Sequence, residues 1–145
     1  MTLAGLAILS LLGGCDGSAG AQPHFGQTIK IGLNLETSGN LAWYGGAALK
    51  GAQIAIDAAN ASGGIGGRQV QAMVVDNMSQ PGRTVALGTH LMSQEKALAV
   101  LGPATEDLFR ATVTVADRHE IVAVSPLACG SRVLAMTEQA PHPYV

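Results

Sequence analysis

The chain has 145 residues, of which 12% are charged and 3% aromatic, and its 8 Lys and Arg against 10 Asp and Glu give a net charge of -2. This length suits a single domain that buries about two thirds of its unfolded surface without help from disulfides or metals. The charge balance argues against a nucleic-acid-binding protein, because a face that binds phosphates needs a clear surplus of Lys and Arg.

The N-terminal segment differs from the rest of the chain. Leu3 to Leu12 is an uncharged apolar run, too short for a bilayer-spanning helix of roughly 20 residues. The end of this run and the next three residues, Leu11 to Cys15, read Leu-Leu-Gly-Gly-Cys, which resembles the lipobox of bacterial lipoproteins. The resemblance implies a lipoprotein signal peptide over residues 1–14, a lipid on Cys15 and, from Asp16, retention at the inner membrane. The alternative is an apolar leader that is buried or without fixed structure.

The first predicted elements follow a short tether. Residues 15–27 are rich in Gly, Ala and Ser, which predicts a flexible connection. Alternating apolar residues then predict a strand over Ile29–Leu35, and the polar loop after Glu36 leads into a helix over Ala42–Ala61. Gly63 and Gly64 can cap the end of that helix.

Strands and helices continue to alternate along the remaining chain. The patterns predict strands at Gln69–Asp76, Ala97–Leu101 and Ile121–Val124, and helices at Gly82–Gln94 and Ala104–Arg118. Pro81 is expected to open the first of these helices, whose buried side is expected to carry Val85, Gly88 and Met92. The apolar third strand is expected to be covered on both faces, and residues 127–145 to be loop until a strand starts at Pro143. This alternation predicts a three-layer α/β domain with a flavodoxin-like parallel sheet and helices on both faces.

Six segments in order carry a resemblance to a known family. They are IKIG (Ile29 to Gly32), KGAQIAIDAANASGGIGGR (Lys50 to Arg68), VVDNMSQP (Val74 to Pro81), LAVLGP (Leu98 to Pro103), IVAVSP (Ile121 to Pro126) and HPYV (His142 to Val145). Together they resemble the first lobe of extracytoplasmic solute-binding proteins of the leucine/isoleucine/valine-binding, type I periplasmic kind.

This resemblance implies a function. Such proteins close two lobes over a small ligand and deliver it to an ATP-binding-cassette (ABC) permease in the membrane. Residues 28–145 are therefore expected to be the N-terminal lobe of a two-lobe domain whose second lobe is missing. The implied ligand is a branched-chain amino acid or a small amide, at the periplasmic face of the inner membrane.

Three loops are expected to share one crevice, at the carboxyl ends of the first, third and fourth strands. The resemblance places seven ligand-binding candidates there: Tyr44, Thr105, Glu106, Ser125, Leu127, Ala128 and Cys129. Helix N-terminal amides at Thr105 to Leu108 would suit a carboxylate. Trp43 is expected to be packing or rim.

Two acids complicate the choice of ligand. Glu106 and Asp107 stand where amino-acid binders of the family commonly carry hydroxyl side chains, and they would repel a bound carboxylate. Either the acids face solvent, or the ligand is not a plain amino acid and amide, urea or amine ligands are favoured. Cys129, which replaces a frequent hydroxyl donor, leaves the same question open.

The sequence gives no support to catalysis. The glycine-rich segment Gly63 to Arg68 lies between a helix and a strand, the reverse of the order that aims amides at a pyrophosphate. Four scattered histidines lack metal-ligand spacing. We therefore expect no enzyme activity, cofactor or metal.

Two alternative hypotheses for the function stay open. A sensory or regulatory domain of the same fold would report ligand occupancy without feeding a transporter. The other alternative is a cytoplasmic response-regulator-like domain, and the lipobox argues against it. A downstream signalling segment would favour the sensory reading, and neighbouring permease and ATPase genes would favour transport.

Overall fold

The computed structural model describes residues 28–139. Its elements are β1 Ile29–Leu35, α1 Ala42–Ala61, β2 Val70–Asp76, α2 Pro81–Ser93, β3 Ala99–Leu101, α3 Glu106–His119, β4 Val122–Val124 and α4 Ser131–Gln139. The predicted signal peptide, Cys15, the tether and the strand at Pro143 lie outside the described residues.

The four strands form one parallel sheet in the order β2-β1-β3-β4. Strand β1 lies between its two partners, with Ile31 beside Ala72 of β2 and Ala99 of β3. The chain therefore leaves β1 toward one side to reach β2 and leaves β3 toward the other side to reach β4, which puts the switch point of the sheet between the carboxyl ends of β1 and β3. This arrangement confirms the predicted flavodoxin-like α/β fold.

Most of the core lies on one face of the sheet. Side chains of α2, α3 and α4 pack there against alternate strand residues, with Leu91, Val100, Phe109, Val113 and Ala123 buried. Alternation along β4 explains the pattern, since Ala123 points to this face while Val122 and Val124 point away and are about half exposed. Within residues 28–139, no helix has both the length and the apolarity to cross a membrane.

Of the elements within residues 28–139, only α1 packs on the opposite face, and they leave that face partly uncovered. Leu33 and Leu35 are fully buried beneath it. Over β3 and β4 an apolar groove of about 330 Å³ remains between Ile56 of α1 and the side chains of Leu101 and Val124. Within residues 28–139, the expectation that the third strand is covered on both faces is therefore wrong.

Two further expectations differ from the structure. Residues 131–139 form helix α4 where a loop was expected, and the reason is tertiary, since Val133 and Met136, three residues apart, pack on the core of α2 and α3. On α2, Val85 is 36% exposed. Thr84 and Leu91 face the interior instead, together with Gly88 and Met92 as expected.

A glycine fixes the close approach of α1 to the end of β1. A Cβ atom on Gly45 would overlap the carbonyl oxygen of Glu36, so no larger residue fits without moving that backbone. Its neighbour Gly46 has nothing within 4 Å of the same position. The first turn of α1 is thus seated directly on the residue that ends the strand.

This contrast gives a matched pair of substitutions. We expect Gly45→Ala to lower the free energy of unfolding by about 1–3 kcal/mol through overpacking against the Glu36 backbone. Gly46→Ala, in the same turn, should raise it by roughly 0.5–1 kcal/mol because alanine favours helix. Urea unfolding of both variants measures the difference, and equal effects would contradict the close approach.

Candidate functional site

The loops after β1, β3 and β4 meet at the carboxyl edge of the sheet, as predicted. The strongest link between them is the side chain of Glu36, which is fully buried. Its two carboxylate oxygens accept hydrogen bonds from the backbone N–H groups of Ala104 at 2.9 Å and Thr105 at 3.0 Å, and from the Thr105 hydroxyl at 2.8 Å. An internal carboxylate therefore occupies the N–H and hydroxyl of Thr105, two donors that were expected to face a ligand.

A second link joins the loops after β3 and β4. The Ser125 hydroxyl donates to the carbonyl oxygen of Pro103 at 2.7 Å and accepts from the N–H of Ala128 at 3.0 Å. Both Ser125 and Ala128 are partly buried. The hydroxyl of Ser125 thus holds the two loops together and sets the position of the Leu127–Cys129 segment.

A third link joins the loops after β1 and β2. Asp76, the last residue of β2, accepts hydrogen bonds from the N–H groups of Thr37, Ser38 and Met78 and from the Ser38 hydroxyl. Burial alone would raise the pKa of the Asp76 carboxyl, but these hydrogen bonds, with that of the Ser38 hydroxyl first, outweigh it and lower the pKa from 3.8 to about 2. Asp76 is therefore an anionic clamp on the loop that leads to Tyr44.

The two acids at the start of α3 lie in different surroundings. Asp107 is exposed, and its Oδ1 accepts from Nη1 of Arg132 at 3.3 Å. The Glu106 side chain is 28% exposed and lies over Gly130, with its Oε1 4.0 Å from Nε of Arg132. The expectation that both acids face solvent therefore holds for Asp107 and not for Glu106.

The apolar candidates line the outside of this edge. Tyr44 lies in the first turn of α1 and is 47% exposed, and Leu127 is 51% exposed. Trp43 is 84% exposed, which agrees with the predicted rim position and not with packing. Cys129 is an exposed free thiol. These side chains are available to a ligand or to a facing surface.

The structure brings the loops after β3 and β4 together through the Ser125 hydroxyl, which donates to the carbonyl oxygens of Pro103 and Ala104, while Thr105 is bonded to Glu36 after β1. Sequence reasoning missed the roles of Glu36 and Asp76. Their position was a usable signal, because each carboxylate stands at the end of a strand that borders another loop of the crevice. Among residues 28–139 no group of three or more His, Cys, Asp or Glu could hold a metal ion.

The geometry agrees with comparisons to known proteins. A family model described as periplasmic binding protein matches residues 28–145. The chain belongs to the periplasmic binding protein family. Its resemblance to the type I branched-chain amino acid binders is confirmed, and the family is one of binding proteins and not of enzymes.

Solved structures of periplasmic binding proteins share the fold. The substrate-binding protein of a branched-chain amino acid transporter from Streptococcus pneumoniae, solved in complex with isoleucine, is 41% identical, with a TM-score of 0.76 over 81% of this chain and 32% of that one. A solute-binding protein of an ABC transporter from R. palustris, solved in complex with benzoate, is 30% identical, with a TM-score of 0.63 over 70% of this chain and 28% of that one.

A curated relative gives the same family. It is an amino acid binding protein from Pseudomonas aeruginosa, 30% identical over 107 residues, which are 74% of this chain and 29% of the relative. This periplasmic binding protein chain therefore spans about a third of the length of the proteins it matches.

The Asp76 clamp predicts a pH dependence of stability. A carboxyl with a folded pKa of about 2 and an unfolded value near 3.8 stabilises the fold above pH 3.8, and this contribution is lost as the pH falls from 3.8 toward 2. Asp76→Asn should remove that part of the pH dependence. It should also cost roughly 1.5–3 kcal/mol at neutral pH, the typical value of a hydrogen bond to a charged group, because an amide cannot replace both carboxylate oxygens as acceptors.

Unfolding free energies measured between pH 2 and pH 7 test this prediction. Asp57→Asn is the matched control, because Asp57 is exposed on α1, away from the loops. A profile for Asp76→Asn that retains the slope of the parent between pH 4 and pH 2 would contradict the clamp.

Proposed function

We propose that this chain is the first lobe of the solute-binding component of an ABC importer and that it binds a branched-chain amino acid or a small amide in the cleft between two lobes. The single observation that carries the proposal is the 41% identity to a branched-chain amino acid binder solved with isoleucine. The proposed role is binding, without catalysis.

The contacts at the carboxyl edge support a ligand site on this lobe. Tyr44 and Leu127 supply exposed apolar surface beside loops that are held in place by buried hydrogen bonds. A ligand would dock against this preorganised edge, and a second lobe would then close over it. Because affinity would be shared between the lobes, the 145-residue chain alone should bind weakly.

The proposed location is the periplasm, with a lipid on Cys15 holding the protein at the inner membrane and an ABC permease as partner. The family implies an extracytoplasmic position. The lipobox-like Leu11 to Cys15 segment supports the anchor. A lipid at this position would keep the lobe close to the permease.

Calorimetry on the full natural protein tests the ligand. The panel is isoleucine, leucine, valine, glutamate, urea and acetamide, and we expect one or more to bind. Tyr44→Ala should weaken that binding about tenfold, which corresponds to about 1.4 kcal/mol. Ile54→Ala, a 71% exposed residue elsewhere on α1, is the control. Absence of binding across the panel would contradict the proposed function.

Fractionation of cells tests the anchor. The parent protein should collect with the inner membrane and carry the mass of a lipid, while Cys15→Ala should be released from the membrane. Cys129→Ala is the control because it removes the other thiol of the chain. A parent protein recovered unmodified and free of membrane would contradict lipidation.

A further inference from the structure

Helix α1 has very little polar surface. Lys50 and Asp57 are the only charged residues among its 20, and most of the others are alanine, glycine or larger apolar residues. One side of the helix packs on the sheet through residues such as Leu49 and Ala52. Because a helix that is apolar all round is usually covered on more than one side, we expect a second surface to pack on the outward side of α1.

Exposed apolar residues form a stripe along that outward side. With about 3.6 residues per turn, Trp43, Ala47, Ile54 and Ala61 lie on the side of α1 opposite Ala52. Trp43 is 84% exposed and Ile54 is 71% exposed, and both alanines are exposed. A hollow of about 270 Å³ lies beside Trp43. Small residues between large ones leave room for the side chains of another helix, so this outward stripe has the shape of a helix-packing surface.

The two charges of α1 lie in the same outward stripe and have opposite signs. Lys50 and Asp57 are seven residues apart, which places them on one side of the helix, about 10 Å from each other along its axis. Both residues are exposed. Within residues 28–139, neither takes part in an ion pair or a side-chain hydrogen bond. The outward stripe therefore offers one cation and one anion to the surface that packs on it.

This charge pattern is complementary to itself when the helix is reversed. If a second copy of α1 packs antiparallel about a two-fold axis near Ile54, Lys50 of each copy faces Asp57 of the other. The same axis places Trp43 of one copy over the small residues at the end of the other helix, Ala61 to Gly64. A parallel pair would instead bring the two lysines together and the two aspartates together. The pattern therefore selects a second copy of this chain in antiparallel orientation.

We propose that the outward stripe of α1 is an interface between two copies of the protein, packed antiparallel and closed by two Lys50–Asp57 ion pairs. The inference does not rest on the proposed function, because it uses none of the loops at the carboxyl edge. A helix about 30 Å long and about 10 Å wide presents roughly 300 Å² to its partner, less than the roughly 800 Å² of a standard stable interface. The dimer is therefore weak, with an expected dissociation constant of roughly 10–300 µM. Unfolding measurements on about 1 µM protein consequently concern the monomer.

Sedimentation equilibrium of the full natural protein, from about 5 to about 500 µM, measures the association. Lys50→Asp and Asp57→Lys should each raise the dissociation constant at least about tenfold, because like charges then meet twice across the interface. The double variant that carries both changes interchanges the charges and should return to within about threefold of the parent. Lys96→Asp is the matched control, since Lys96 is exposed in the turn before β3 and should change the constant less than about twofold.

The outcomes separate this interface from other ways of covering α1. A parent protein that stays monomeric up to about 500 µM, because another part of the natural protein or solvent covers the stripe, overturns the inference. A dimer that both single variants form as tightly as the parent overturns it too, since the contact then lies elsewhere. Loss of association in the double variant, with a circular dichroism spectrum like that of the parent, overturns the antiparallel pairing. Ligand binding by a strictly monomeric protein would leave the proposed function standing.

Discussion

The carboxylate of Glu36 is the interaction on which the rest of the site depends. It leaves water completely, which is costly for an acid, and three hydrogen bonds from Ala104 and Thr105 offset that cost. Because the donors come from the turn between β3 and α3, this one side chain fixes how the end of β1 meets the start of α3. The edge of the sheet at the switch point is thereby rigid before any ligand arrives.

Three other contacts hold the neighbouring segments in place around Glu36. Gly45 brings α1 against the backbone of Glu36, Asp76 holds the loop between them, and Ser125 secures the loop after β4. The links made by Asp76 and Ser125 each join two loops and each bond a backbone group that would otherwise need water. Preorganisation of this kind lowers the entropic cost of ligand binding. Exposed side chains such as Tyr44 are therefore attached to backbone that is already held in position.

The fold could be predicted from the sequence because the patterns that specify each helix and strand are local. Alternating apolar residues, Pro81 and the glycines after α1 set the elements to within about two residues of their observed ends, and the βαβ pattern then left few topologies. Helix α4 was missed because its helical state depends on Val133 packing against distant helices. The partners of Glu36 and Asp76 could not be derived either, since they lie 68 and 38 positions away in the chain.

Family membership explains some features of this chain and leaves others unexplained. Membership accounts for the sheet, the edge and a binding role, yet it says nothing of how Glu106 lies over Gly130. Relatives of this fold have been solved with isoleucine and with benzoate, so the scaffold accepts ligands of different chemistry. With Thr105 and Ser125 bonded within the protein, the loops of this edge are fixed in place, and the exposed side chains that they carry, such as Leu127, are what remains available to a ligand.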